Sequence, residues 1–152
     1  MLRGYRYRLY PTSEQEERLS HHFGCSRWVY NWALQEKTAR YMEASVCVPV
    51  FELQAHLTEL KQRDDTAWLA EVSAASLQSS LRNLDAAFTR FFKQKARYPN
   101  FKTKTGRQSF QLPTMTHVHF DTQRIRILKF QEGIKGCFNR CFEGKVKTTT
   151  IS

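Results

Sequence analysis

The chain has 152 residues, 24 Lys plus Arg against 14 Asp plus Glu, and a formal net charge of +10. Its 41% hydrophobic content can bury a core, which argues against general disorder, and its length suits one domain or two small modules. No run approaches the ~20 apolar residues of a membrane span; Met1-Leu2-Arg3-Gly4-Tyr5-Arg6 lacks the apolar centre of a signal peptide; and four unevenly spaced cysteines do not make a disulfide framework, so a cytoplasmic protein is expected.

Residues 2–10 alternate, with Tyr5, Tyr7 and Leu9 on one side and Arg6 and Arg8 on the other, the period of a half-buried strand that Pro11 ends. Ser13 and Glu16 form a capping box that starts a helix. Gly24 breaks it, and a second helix carries Cys25, Trp28, Val29, Trp32 and Ala33 as an apolar stripe to about Tyr41. Two helices joined at one glycine are helix-turn-helix-like, and equally what a packed helical hairpin needs. His21 and His22 then fall late in the first helix, where a cation suits the dipole. A loop over 42–50 closes at Pro49, a short helix spans Phe51 to Arg63, and Asp64-Asp65-Thr66 turns the chain into a short helix at Trp68 and Leu69.

The strongest helix runs from Ala74 to Lys95, with Leu77, Leu81, Leu84, Phe88 and Phe91 as a continuous stripe and Gln78, Arg82, Thr89 and Lys93 on one flank. Beyond Pro99 the period shortens to that of strands at Ser109–Leu112, His117–Phe120 and Arg124–Ile127, with Asp121-Thr122-Gln123 as a turn. Gly133, Gly136 and Gly144 punctuate the segment after them, and residues 145–150 alternate as a last strand. The chain stops inside that strand, so its pairing partners are expected to be missing and its edges prone to aggregation. The class is α+β: a first strand (1–12), a helical lobe (13–96) and a basic β-rich segment (97–152).

Charge divides the chain. Residues 14–85 hold 7 basic and 11 acidic side chains, and the remainder holds 17 and 3. From Ala86 to Phe120 there is no acid, only Arg90, Lys93, Lys95, Arg97, Lys102, Lys104 and Arg107; Arg3, Arg6 and Arg8 form a second such run. Segments of one sign repel themselves unless a polyanion neutralises them. Nucleic acid is the commonest such partner, because neutralising its phosphates releases counterions. Tyr98, Phe101 and Phe110 interleave with these charges and could stack on unpaired bases. An anionic membrane surface is a poorer match, since the basic run has no apolar helical face.

The order of motifs resembles the OrfB (TnpB) proteins of bacterial insertion sequences. Tyr7-Arg8-Leu9-Tyr10-Pro11-Thr12, Gly24-Cys25-Ser26-Arg27-Trp28-Val29-Tyr30-Asn31-Trp32, Leu60-Lys61 with Trp68-Leu69, Leu77-Gln78, Leu81-Arg82-Asn83-Leu84, Ala87-Phe88, Phe91-Phe92, Tyr98-Pro99-Asn100-Phe101-Lys102, Gln108-Ser109-Phe110 and the ending Gly144 to Ser152 carry it across nearly the whole chain. The resemblance implies the N-terminal portion of an RNA-guided DNA endonuclease: a strand, a recognition lobe and part of a wedge-type β-barrel, an incomplete one here. It implies structured guide RNA and double-stranded DNA as partners, with neither membrane nor small-molecule substrate. The family's RuvC-like nuclease, with its Mg²⁺ ligands and zinc finger, belongs to a half this sequence does not contain. No cofactor is expected in this chain. Asn100 departs from the basic residue more usual at its position.

On this reading Arg3, Arg6 and Arg8 face RNA from the first strand. Lys93, Lys95, Arg97, Lys102, Lys104 and Arg107 supply the main phosphate contact, and Gln78 and Arg82 approach DNA beside the target-adjacent motif, where the family's matching helix lies. No catalytic or metal residue is assigned. Asp121, Glu132 and Glu143 form no converging carboxylate set. Cys137, Cys141, His117 and His119 are not in a recognised finger order, and Cys25, Cys47, Cys137 and Cys141 read as buried small side chains. The alternative is a small helix-turn-helix regulator that reads duplex DNA as a dimer, with Ser26 and Arg27 at the start of its recognition helix.

Overall fold

The computed structural model describes residues 1–113 and 116–152. Its spine is helix α1, Ser13–Ala44. Thr12 Oγ1 accepts the Gln15 N–H at 3.2 Å and Gln15 Oε1 accepts the Thr12 N–H at 3.0 Å. The capping box is real but sits one residue earlier than the Ser13/Glu16 pair. The break expected at Gly24 does not occur: α1 runs through it as a single helix of 32 residues. Residues 15, 19, 22, 26, 29 and 33, all buried, follow one helical stripe. Gln15, His22 and Ser26 put polar side chains on that stripe, so the apolar residues alone change phase near Gly24 and imitate two helices.

That stripe serves two cores. Toward its C-terminal end Cys25, Val29, Tyr30, Ala33 and Leu34 pack with α2 (Val50–Leu60), a 3₁₀ turn at Ala67–Glu71 and α3 (Ala74–Phe92) around Leu53, Leu57, Leu69, Leu77, Leu81, Leu84 and Phe88. Trp28 and Trp32 are half-buried at the rim of this core rather than inside it. Near its N-terminal end Leu19 and Phe23 pack on Phe110, Leu112, Ile125, Ile127, Phe130, Ile134, Phe138 and Ile151.

The second core is covered by two antiparallel sheets. The four-stranded sheet has the order β1-β5-β4-β3, with β1 at Arg8–Leu9, β3 at His117–His119, β4 at Arg124–Ile127 and β5 at Phe130–Cys137. β2 (Phe110–Leu112) pairs with β6 (Thr149–Ile151), so the final strand does have a partner within this chain. No closed barrel forms from these described strands. The first strand is two residues rather than 2–10, the last is 149–151 rather than 145–150, and α3 ends at Phe92.

β5, the longest strand and an inner strand of its sheet, is the element the sequence hides, because its glycines read as turns. Gly136 is there for close approach: a Cβ at this position would lie 2.8 Å from the Phe138 ring and 3.0 Å from the Arg8 carbonyl oxygen. No helix among the described residues is long and apolar enough to cross a membrane.

Candidate nucleic-acid interface

Antiparallel register gathers basic side chains on the exposed face of the larger sheet, with one pair of cations, Arg124 and Lys135, directly opposed. Arg124 stands opposite Lys135, Arg126 opposite His117, Arg124 opposite His119, and Arg8 opposite Cys137 at the sheet edge. All of these side chains are exposed. Like charges directly opposite one another destabilise a sheet pair, so the Arg124–Lys135 pair carries a standing repulsion that a bound polyanion would relieve. Arg124, Arg126 and Lys135 were not singled out by sequence reasoning. The alternation in Arg124–Ile127 marks two of them, but their convergence needed β5 to be recognised.

The basic run after α3 is a braced loop. Asn31 of α1 pins Lys102 twice, its Nδ2 donating to the Lys102 carbonyl at 2.9 Å and its Oδ1 accepting the Lys102 N–H at 2.8 Å. The Gln108 amide donates to the carbonyls of Thr103, Lys104 and Gly106 at 2.9–3.0 Å, while its Oε1 accepts from Arg27 at 2.9 Å. Tyr98 stands edge-on to Phe88 and Phe91, and its hydroxyl lies 2.6 Å from that of Thr38.

This bracing sorts the expected contacts. Lys93, Lys95, Arg97, Lys104 and Arg107 are exposed around the loop. Lys102 is different: its Nζ lies 4.4 Å over the Tyr30 ring, and burial lowers its pKa. Although the residue as a whole is open to solvent, the ammonium is lodged against α1. Of the three interleaved aromatics, Phe110 is buried in the β core, which corrects its reading as a stacking surface, while Tyr98 is exposed but held edge-on against α3. Phe101 remains exposed.

On α3, Gln78, Arg82 and Thr89 form the expected exposed flank, which Lys93 continues just past the helix end, with Arg82 also donating to Ser79 Oγ at 3.2 Å. Arg3, Arg6 and Arg8 are exposed on β1 and the segment before it, where β1 borders β5. The structure therefore joins Arg8 to the sheet face and Lys93 to the α3 flank. It presents the N-terminal arginines and the loop on separate supports.

An open groove of about 790 Å³ runs along the face of α1 opposite the buried stripe. Gly24, Arg27, Trp28 and Trp32 line it from α1, and Phe101 and Lys104 from the loop. The Trp28 and Trp32 rings are parallel, 4° apart in plane with centroids at 6.3 Å, and Trp68 meets Trp28 edge-on at 5.4 Å. A smaller polar cleft of about 340 Å³ holds His21 and His22.

These histidines lie in the N-terminal third of α1, far from its C-terminal end, so the dipole argument for them fails. His22 is buried between Phe110 and Phe130, with its Nδ1 2.8 Å from the Arg18 carbonyl. Burial lowers its pKa, and His21, Arg18 and Lys129 push the same way. Burial tends to raise the Glu132 carboxyl, but its own backbone N–H, Arg18 at 2.6 Å and Gln15 hold it below the ordinary value. Cys25 alone among the four cysteines is buried; Cys47, Cys137 and Cys141 are exposed, contrary to expectation. Burial and the Glu71 charge push the Cys25 thiol up to about 11. Among the described residues no group of three or more His, Cys, Asp and Glu side chains is placed to hold a metal ion, and no metal-dependent step is assigned to them. Ser26 and Arg27 fall mid-helix, with Ser26 buried, so they do not open a recognition helix.

Comparison with known proteins adds four likenesses. Residues 1–45 match the family model described as a helix-turn-helix domain, that of the OrfB insertion-sequence proteins. A Streptomyces pristinaespiralis protein named as an RNA-guided DNA endonuclease is 33% identical over 150 residues, and the Escherichia coli K12 protein InsQ, named likewise, is 27% identical over 151. Each alignment covers 99% of this chain but 37% of the relative, so the chain spans little more than a third of their length. The virulence protein VsdF of Salmonella dublin is 35% identical over 116 residues, covering 70% of this chain and 98% of VsdF.

Proposed function

The chain belongs to the OrfB/TnpB family of insertion-sequence proteins, and we propose that it is a nucleic-acid-binding unit of that family, gripping structured guide RNA and duplex target DNA through their phosphates. The observation that carries this reading is the exposed sheet face that gathers Arg8, Arg124, Arg126 and Lys135, with Arg124 directly opposite Lys135. A folded sheet that sets Arg124 against Lys135 bears a repulsive cost that phosphate contact turns into attraction. The braced loop extends this field through Lys93, Lys95, Arg97, Lys104 and Arg107. Arg3 and Arg6 continue it beyond β1, and Lys102 acts mainly by anchoring the loop to Tyr30. Gln78 and Arg82 are the candidates for contact with duplex DNA, because they share the exposed flank of a rigid helix. The reading assigns binding to this chain and no cleavage.

A salt titration of binding to a structured RNA and to a DNA duplex tests it. Several phosphate contacts give a log–log slope of roughly −3 to −6. Replacing Arg124, Arg126 and Lys135 together by Gln should flatten that slope by about one for each phosphate left without its cation, whatever the nucleotide sequence. A slope near zero, or hydrolysis of DNA by the chain alone, would overturn the reading. A footprint of two half-sites about one helical turn apart would favour the dimeric regulator instead.

A further inference from the structure

The groove on the outer face of α1 lies apart from the sheet face and is built differently. Trp28 and Trp32 present parallel rings, Phe101 is among the most exposed aromatics of the chain, and Arg27 and Lys104 set cations beside them. Among the described residues no acidic side chain lines the groove. Gly24 keeps its wall low: a Cβ there would meet only one Arg27 guanidinium nitrogen, at 3.8 Å. The groove holds about 790 Å³, within the usual size of a ligand site. Flat apolar rings beside positive charge match an unpaired nucleotide, whose base stacks while its phosphate is neutralised.

We infer that this groove seats unpaired nucleotides of RNA, with bases against the rings of Trp28, Trp32 and Phe101 and phosphate at Arg27 and Lys104. The inference rests on the nucleic-acid reading above and adds the single-stranded class of ligand and its place. RNA is chosen because its loops and bulges offer splayed bases that stack on aromatic side chains, whereas duplex DNA offers none without the cost of unstacking. The groove engages bases, while the sheet face engages backbones, so one structured RNA can occupy both.

All three tryptophans of the chain line this groove, so intrinsic tryptophan fluorescence reports on it alone. The test titrates the full chain with an unstructured oligouridylate, the matching single-stranded DNA and a blunt duplex, following tryptophan emission and, separately, anisotropy of a label on the nucleic acid. Oligouridylate should quench the emission. Gly24→Leu should abolish the quench and weaken oligouridylate about tenfold, the loss expected of a stacked base, while duplex binding stays unchanged. Leucine favours the helix over glycine, so a folded variant is expected, and a melting curve checks it. Phe101→Ala, at an exposed position, should weaken oligouridylate to a similar extent. Unaltered affinity in both variants, or RNA binding without quenching, overturns the inference and leaves the broader reading standing. Equal quenching and affinity with single-stranded DNA overturns the assignment to RNA. Failure to bind any nucleic acid overturns both.

Discussion

Around the helical core, charges are paired: Lys37 meets Asp85 at 3.3 Å, Arg40 meets Glu52 at 2.8 Å and Arg63 meets Asp65 at 3.0 Å. Around the β core, Arg124 faces Lys135 across the sheet with no acid opposite either among the described residues, and Arg18–Glu132 ties α1 to β5 rather than relieving them. Both cores hang on one face of the same helix. The difference teaches that scaffold and grip are separate tasks on one spine. The helical side settles its own electrostatics, and the β side leaves positive charge for a partner to settle.

The largest test of that division is Leu81→Ala. Leu81 is fully buried among the helices, and its truncation should cost ~2–5 kcal/mol, read as a lower urea midpoint. Hydrogen exchange should show α2 and α3 opening first. Gly136→Ala probes the other side. The added methyl would strike Phe138 and the Arg8 carbonyl, a cost of ~1–3 kcal/mol, with exchange rising in β1 and β5 while α3 stays protected. If either variant loosens both regions equally, the two cores are one cooperative unit and the comparison fails.

Acid should act on the β side. Folded His22 holds its proton less tightly than the unfolded chain does. The unfolded state therefore binds more protons once pH falls below the ordinary histidine value of 6.5, and stability declines from there downward. Glu132 adds a second loss in the same direction as pH falls below its ordinary value of 4.5. Exchange measured from pH 7 to 4 should rise first at the N-terminal half of α1 and in β5. An acid transition beginning in α3 would contradict this. The smallest effect has the opposite sign: Gly24→Ala, where a Cβ meets only the Arg27 guanidinium at an ordinary 3.8 Å, should raise stability by ~0.5–1 kcal/mol, and a loss would mean that α1 needs a bend at Gly24.

Much of the scaffold is legible in the order of residues. The stripe from Leu77 to Phe91 makes α3 plain, because five large apolar residues at helical spacing can bury themselves in only one way. The alternation of Arg124–Ile127 marks the bounds of β4, and the absence of acid from Ala86 to Phe120 locates one basic surface. The extent of α1 is hidden by the polar residues on its buried stripe, Gln15 and His22 among them. β5 is hidden by Gly136, which serves close packing, and by Gly133, whose positive φ of 81° falls inside the strand and not in a turn.

What the order of residues determined alone is the α+β character and the excess of positive charge, since periodicity and charge are local properties of neighbouring residues. Only tertiary structure decided which cations stand together, that Phe110 is core while Phe101 is free, and that all three tryptophans meet at one groove. Those facts depend on strand register and on contacts between residues far apart in sequence, such as Asn31 with Lys102, and no local pattern encodes them.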